Sequence, residues 1–279
     1  MKAVEQVPCP CCGSDDFSPW AEELGFFAVR CHGCALIYVN PRPLTAQIDS
    51  AVRTGVHGED ATYLDVRTRR VGAKIDLYRT VFDKMFVDVW RGGKPISWLD
   101  IGAGNGEIVE AISAIAPAGS QIGGVEPMEA KASRARARGL KVATSYLAPD
   151  HSKVDFVSIV DVFSHVPEFH DFLATVRSVL NPHGELFLET GNLADLDQRG
   201  DFPGELGLPD HLVFAGEKQI GMYLSRAGFE IAAIQRVRVD DTIYFAKSIV
   251  KRMLGRPYTI RLPYTSKYRQ IRLRARLVA

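Results

Sequence analysis

The sequence predicts an α/β fold: a parallel sheet covered by helices on both faces, with a small metal-holding ribbon ahead of it. Three observations carry this. From residue 96 onward, short apolar runs alternate with amphipathic stretches, the pattern of strands joined by crossover helices. A glycine-rich loop, Asp100-Ile-Gly-Ala-Gly-Asn-Gly106, stands between the first of those strands and its helix. All five cysteines of the 279 residues fall within the first 34.

The cysteines come first in the chain. Cys9-x-x-Cys12 and Cys31-x-x-Cys34 form two knuckles with 18 residues between Cys12 and Cys31. Four thiolates at this spacing suit a tetrahedral zinc site. Gly13 and Gly33 are expected to support the tight turns. So short a segment buries too little apolar area to hold itself together, so the metal would supply much of its folding energy. Disulfides are the competing use, disfavoured in a cytoplasmic chain. Four protein ligands leave no open coordination position, which makes the metal structural. Cys11 is the spare thiol, and a register that includes it stays open.

Tyr38-Val-Asn-Pro-Arg-Pro43 reads as an extended exit from the ribbon, because residues before proline avoid the helical region. Helical patterning covers 45–50 and 63–90. In the second stretch Leu64, Val71, Ile75, Tyr78, Phe82 and Phe86 make one apolar stripe. Residues 54–60, with Gly55 and Gly58, read as a loop, and 91–95 closes the helical region. Strands are expected over 95–100, 121–126, 140–144, 154–160 and 185–189. Helices are expected over 106–116, 128–138 and 169–180, and 181–184 is a turn. A further helix over 217–227 stops at Gly228, and 230–239 and 268–277 read as closing strands. There is no internal repeat. The implied organisation is a ribbon over 1–44, a helical linker or cap over 45–94, a cofactor-binding core over 95–239, and a basic insert with a closing strand over 240–279.

Composition excludes several classes. A chain 46% hydrophobic and 24% charged is an ordinary globular one, long enough for one or two domains. No uncharged apolar run reaches the roughly 18 residues that cross a bilayer. The amino terminus shows no secretory signal, so the cytoplasm is the expected compartment. The net charge of +1 hides an asymmetry. Residues 242–279 hold ten Lys/Arg and no acid, leaving 24 basic against 33 acidic residues before them. Such a segment either meets an anionic partner or is a solvated strand and loop balancing the body. Within it, Arg252, Arg256 and Arg261 with Tyr258 and Tyr264 could recognise a phosphate or nucleotide-diphosphate carrier, or form an exposed basic hairpin.

The glycine loop departs from the dinucleotide fingerprint: its third glycine comes one residue early and Glu107 follows. Glu126, ending the next strand, can accept hydrogen bonds from both ribose hydroxyls of an adenosine. No phosphate-binding Walker lysine is present. These residues, with Asp161-Val-Phe-Ser-His-Val-Pro-Glu168 and Asn181-Pro-His-Gly-Glu-Leu-Phe-Leu-Glu189, make the chain resemble the class I S-adenosylmethionine-dependent methyltransferases. The resemblance implies a Rossmann-like sheet and S-adenosyl-L-methionine as cofactor. It places Gly102, Gly104 and Gly106 around the methionine part, Glu126 on the ribose, and Ser145 and Tyr146 near the adenine. Asp161 and Phe163 would face the methyl donor, and Asp100, Ala103 and Pro127 join the cofactor-binding set.

The ribbon followed by Val39-Asn-Pro-Arg-Pro43 looks like the branch found with sugar and natural-product biosynthesis. In that branch the fourth strand commonly ends in Leu-Glu-His-Val. Here Phe163-Ser-His-Val166 keeps the histidine and replaces the glutamate with Ser164, which points away from carbon methylation. That branch's long C-terminal extension is also missing. A hydroxyl acceptor benefits from a base. His165 is the first candidate, and His211, in Pro209-Asp-His-Leu-Val-Phe214, the second. The expected function is methylation of a small molecule, at an oxygen of a sugar or natural-product precursor, with a phosphate-bearing carrier as one form of the acceptor. Two other readings are an RNA methyltransferase using ribbon and basic tail, and a non-catalytic cofactor-binding scaffold. Nucleic acid is disfavoured by the acidic body and by the absence of an Asn-Pro-Pro-Tyr-like segment after the fourth strand.

Overall fold

The structure is a computed structural model and describes residues 3–58, 64–65, 72, 74–202, 204–238, 242–256, 260 and 267–278. The amino-terminal part contains strands β1 (Val4–Glu5), β2 (Phe17–Glu23), β3 (Phe26–Cys31), β4 (Ile37–Val39) and β5 (Arg42–Pro43). Helix α1 (Thr45–Thr54), the short strands β6 (Val56–His57) and β7 (Leu64–Asp65), and helices α2 (Ile75–Met85) and α3 (Val87–Gly92) follow. The core then alternates as expected: β8 (Ser97–Ile101), α4 (Glu107–Ser113), β9 (Gln121–Val125), α5 (Glu129–Ala137), β10 (Val142–Ala143), β11 (Val154–Val160), α6 (Phe169–Val179) and β12 (Leu180–Gly191). It closes with β13 (Val213–Phe214), α7 (Glu217–Arg226), β14 (Phe229–Arg238), α8 (Thr242–Met253) and β15 (Arg269–Leu277).

Seven strands form the main sheet in the order β10-β9-β8-β11-β12-β15-β14. Pairings from β10 through β12 are parallel. The last strand runs antiparallel between β12 and β14, so β14 points the same way as the core strands. Within β12, Val154 pairs with Leu180 and Phe156 with Glu185, so the predicted turn 181–184 bulges out of a continuous strand.

Alternation along the strands gives the sheet two unlike faces. One face carries Leu99, Ile101, Val157, Ile159, Leu186, Leu188, Ile271 and Leu273, all buried in the larger apolar cluster with residues of α6 and α7. The other carries Trp98, Phe156 and Phe187, which pack on Phe82 and Phe86 from the α2–α3 region. The same face holds the acids of β12 and the arginines of β15 in register. Glu189 stands opposite Arg272, and Glu185 opposite Arg276. Arg272 Nε donates to Glu189 Oε2 at 2.6 Å, and Tyr78 Oη donates to Glu189 Oε1 at 2.8 Å. Arg274 pairs with Glu185 and reaches Asp88 of α3 at 2.6 Å. Three of the ten cations in the basic segment therefore answer acids within the sheet.

Four sequence expectations are corrected. The helix expected over 63–90 begins at Ile75 and breaks at Phe86, and Leu64–Asp65 pairs instead with Val56–His57. That pairing also places a strand in the expected loop 54–60. Thr242–Met253, read as part of an insert without helix, is helical. Gly33 is not the left-handed residue of its knuckle. That position, directly after the second cysteine, is Gly13 (φ +78°) in one knuckle and Ala35 (φ +64°) in the other. A Cβ at Gly33 would only touch Cys12 Sγ, at 3.4 Å.

Replacing Arg272 with methionine leaves a wholly buried carboxylate without its cation. Urea unfolding of Arg272→Met should show a loss of about 3–5 kcal/mol, and adding Glu189→Gln should recover most of it.

Candidate active site

The glycine loop leaves β8 and turns into α4, with Gly102, Gly104 and Gly106 all at positive φ. Two of these glycines do different jobs. A Cβ on Gly102 would come within 2.4 Å of Val162 Cγ2, so the loop packs directly on the end of β11. A Cβ on Gly104 would meet nothing within 4 Å: its backbone faces open space. Glu126, buried at the end of β9, spans this opening. Its Oε2 accepts the Gly104 N–H at 2.8 Å and its Oε1 the Met128 N–H at 2.9 Å. Ala103 N–H bonds Val125 O at 3.0 Å, which ties the loop to β9. Asn105 Oδ1 is buried with no hydrogen-bond partner. An open backbone cradle, a carboxylate and an unsatisfied acceptor beside it fit an adenosyl donor with hydroxyl and ammonium groups to offer.

Asp100, on β8, is bonded within the sheet. Burial is complete, and its Oδ1 accepts from Ser158 Oγ at 2.5 Å, which in turn accepts from Trp98 Nε1 at 3.0 Å. Desolvation pushes this carboxyl up to about 8. Pro127 is half-buried beside Glu126, and Ser145 is exposed beyond β10. Tyr146 donates its hydroxyl to Asp49 Oδ1 of α1 at 2.7 Å and lies under Arg53. Asp161, at the end of β11, takes a left-handed backbone (φ +56°) and pairs with Lys74 at 3.0 Å. Phe163 lies in an aromatic cluster with Phe169 and Tyr223.

Beyond Asp161 lies a cavity of about 220 Å³, roofed by the segment between β12 and β13. Phe163, His165, Phe202, His211, Phe214 and Tyr268 line it, with Asp161 and Glu205 as its carboxylates; no Lys or Arg is among the described lining residues. Below the several hundred Å³ usual for larger ligands, this volume suits a single ring or a short chain.

The two predicted histidines meet here, their ring centroids 4.8 Å apart. Carbonyls only accept, so each ring orientation fixes its tautomer. His165 Nδ1–H donates to Asp210 O at 2.7 Å, and His211 Nδ1–H to Leu206 O at 2.6 Å. In both neutral rings the lone pair therefore sits on Nε2. Asp210 Oδ1 lies 3.4 Å from His165 Nδ1 and 3.0 Å from Nε2 of buried His57. Burial opposes ionisation of Asp210, but hydrogen bonds with His165 and His57 outweigh it and hold the carboxyl well below the usual range. Asp210 and His57 were not singled out in the sequence. Asp210 adjoins His211 in a segment already marked, whereas nothing local marks His57.

The ribbon backs one wall of the cavity through β13, whose Val213 and Phe214 line it. Its hairpin and β4 join β13 in one four-stranded sheet, with Tyr38 paired to Val213 and Ile37 to Phe214. Glu23, on β2, accepts N–H groups from Leu206, Gly207 and Leu208 at 2.8, 2.7 and 3.2 Å. Arg42 joins Glu5 to Glu168, and Asn40 exchanges two hydrogen bonds with Val7. The thiols of Cys9, Cys12, Cys31 and Cys34 lie within 4.8 Å of one another. Cys9 and Cys34 are 3.5 Å apart, as are Cys12 and Cys31. Zn–S bonds of about 2.3 Å in a tetrahedron require sulfurs roughly 3.8 Å apart, which this set matches.

A family profile described as a methyltransferase domain matches residues 75–234, more than half of the chain. The chain belongs to this methyltransferase family. The enzyme is an S-adenosylmethionine-dependent methyltransferase, the class its loop and acid motifs resemble. No curated protein matches the sequence. Similar solved structures include the geranyl diphosphate C-methyltransferase of Streptomyces coelicolor A3(2), 15% identical with a TM-score of 0.54 over 85% of this chain and 100% of that one. The (4+2)-cyclase SpnF is 20% identical, with a TM-score of 0.53 over 84% and 93% of the two chains. The cyclopropane synthase MmaA2 of Mycobacterium tuberculosis is 16% identical, with a TM-score of 0.50 over 84% and 94%. These likenesses establish the methyltransferase's fold.

Asp100 makes a pH prediction. In the fold its carboxyl ionises near pH 8, against about 4 in an unfolded chain, so stability falls as pH rises through that window. Asp100→Asn should remove this slope. Its unfolding free energy relative to wild type should improve by on the order of 3 kcal/mol between pH 5 and pH 8, read by denaturant titration.

Proposed function

We propose that the methyltransferase transfers a methyl group to a hydroxyl of a small acceptor, of the sugar or natural-product precursor class, held in the cavity beside Asp161. The observation that carries this is the convergence of His165 and His211 on one small cavity, with the Asp210 carboxylate against His165. Ser164 leaves the strand end without the glutamate expected there, and Asp210 brings a carboxylate to the same imidazole from another segment. When bound, the sulfonium donor supplies an electrophilic methyl group. The glycine loop and Glu126 would hold its adenosyl part, with Asp161 at the reacting end. Most of the protein's work is then positioning.

His165 accepts the hydroxyl proton on Nε2 as the new bond forms, and the Asp210 carboxylate stabilises the resulting imidazolium. His211 stands ready for the same step on the neighbouring edge of the acceptor. Aromatic walls suit the apolar faces of a sugar or similar ring. The cavity's carboxylates, with no Lys or Arg among its described lining residues, support an uncharged acceptor group inside it, any phosphate of a carrier lying outside. Of the arginines considered for carrier recognition, Arg256 is exposed, and Arg261 lies outside the described residues with Tyr258 and Tyr264. The ribbon's backbone pairing to the cavity wall gives it a building role that an RNA-recruiting ribbon does not need, which favours the small-molecule reading.

Turnover of a hydroxylated acceptor at saturating donor tests the assignment. His165→Ala should lower kcat by roughly 10²–10⁴ and Asp210→Asn by a smaller factor, with unchanged calorimetric affinity for S-adenosylhomocysteine. Full activity in both His165→Ala and His211→Ala would exclude histidine as the base.

We also propose that Cys9, Cys12, Cys31 and Cys34 hold a structural Zn²⁺. Elemental analysis should find one zinc per chain, lost in Cys9→Ser/Cys34→Ser. Chelation should lower the melting temperature while leaving donor-product affinity largely intact, because the loop around Gly104 does not touch the ribbon.

A further inference from the structure

Helix α8 carries a surface that methyl transfer does not use, and it lies outside the matched methyltransferase domain. Its inner side holds buried Ser248 and half-buried Phe245 and Ile249. Its outer side bears Val250 and Met253, with Leu254 directly after, exposed by 54, 81 and 70%. These are the three highest exposures among the large apolar side chains described. Their spacing of three and four residues places them on one face. Lys247 and Lys251 stand three residues before Val250 and Leu254, beside that face, and Arg252 and Arg256 follow. No acidic residue occurs from Thr242 to the end of the sequence.

The topology says where this surface points. Arg238, ending β14, pairs with Arg269, beginning β15, so both lie at the edge where the parallel strands end. Tyr268 and Gln270, which line the acceptor cavity, stand at that edge. Helix α8 thus departs from the active-site side of the sheet.

An apolar triad this exposed marks a contact surface. Nucleic acid would use the cations and gain little from Met253 and Leu254. An anionic bilayer uses both, taking the apolar side chains into the headgroup boundary and the cations onto lipid phosphates. We propose that α8 docks the active-site edge of the methyltransferase onto an anionic membrane surface. The attachment is peripheral, since no helix among the described residues is long and apolar enough to cross a membrane. The proposal is independent of the acceptor's identity.

Flotation of the full chain with vesicles tests it, comparing phosphatidylcholine alone with a mixture containing one-third phosphatidylglycerol. Binding to the anionic vesicles should exceed binding to neutral ones at least tenfold. Met253→Ser/Leu254→Ser and Lys247→Gln/Lys251→Gln should each reduce it about tenfold, with calorimetric affinity for S-adenosylhomocysteine unchanged. No binding to anionic vesicles would overturn the proposal, as would full binding by Met253→Ser/Leu254→Ser. Retention on duplex RNA stronger than on vesicles, and unaffected by that apolar variant, would assign the face to nucleic acid and overturn it as well.

Discussion

The cavity beside Asp161 depends on one backbone pairing, that of β4 with β13. It joins the ribbon to the strand whose Val213 and Phe214 line the cavity. Tyr38 and Ile37 pair with Val213 and Phe214, and Val39 N–H reaches Leu212 O at 2.8 Å. Those residues directly follow Asp210 and His211, so the register of this short sheet sets where both side chains stand. The carboxylate of Glu23 then holds the neighbouring loop by three amides. Such an arrangement needs no flexible lid to define that wall. The ribbon's thiols and the cavity's histidines are two ends of one rigid unit sharing a single apolar core.

The two faces of the main sheet divide the remaining labour. The apolar face supports α6 and α7 and, through them, the ribbon: His170 Nε2 lies 3.1 Å from Cys11 O. The other face is aromatic at its centre and ionic at its edge. Acids on β12 need cations when buried, because an isolated carboxylate in the interior is costly. The arginines of β15 supply them, and Gln270 adds a bond to Glu189 at 2.8 Å. Tyr78 and Asp88 carry the network to α2 and α3, so the helices over the donor side are fastened by the same charges.

Much of this was legible in the sequence. Apolar runs of the core strands, such as Val154–Val160, are buried on both faces and read as strands from composition alone. The thiol set was legible from spacing, since a knuckle is a local structure. His165 was singled out because it follows the fourth strand and His211 because its segment follows the fifth, but their meeting at 4.8 Å is a tertiary fact. Asp210 and His57 escaped for the same reason: their bond joins residues 153 apart. The stripe through Leu64 misled because helical spacing says nothing about a competing partner. His57 supplied one, pairing with Leu64 in a two-stranded ribbon. Charge counting marked the C-terminal segment as basic, yet could not tell the arginines that answer Glu185 and Glu189 from the lysines of α8.

The room inside the cavity beside Asp161 depends on a missing methyl group. At Gly191 a Cβ would come within 2.1 Å of the Tyr268 hydroxyl, so the ring lies flat against bare backbone. Any larger residue would force the phenol off this backbone, and because Tyr268 lines the cavity its interior would be reshaped. This one position works as a size gauge, and redesign of the space would begin with this glycine and the tyrosine that leans on it.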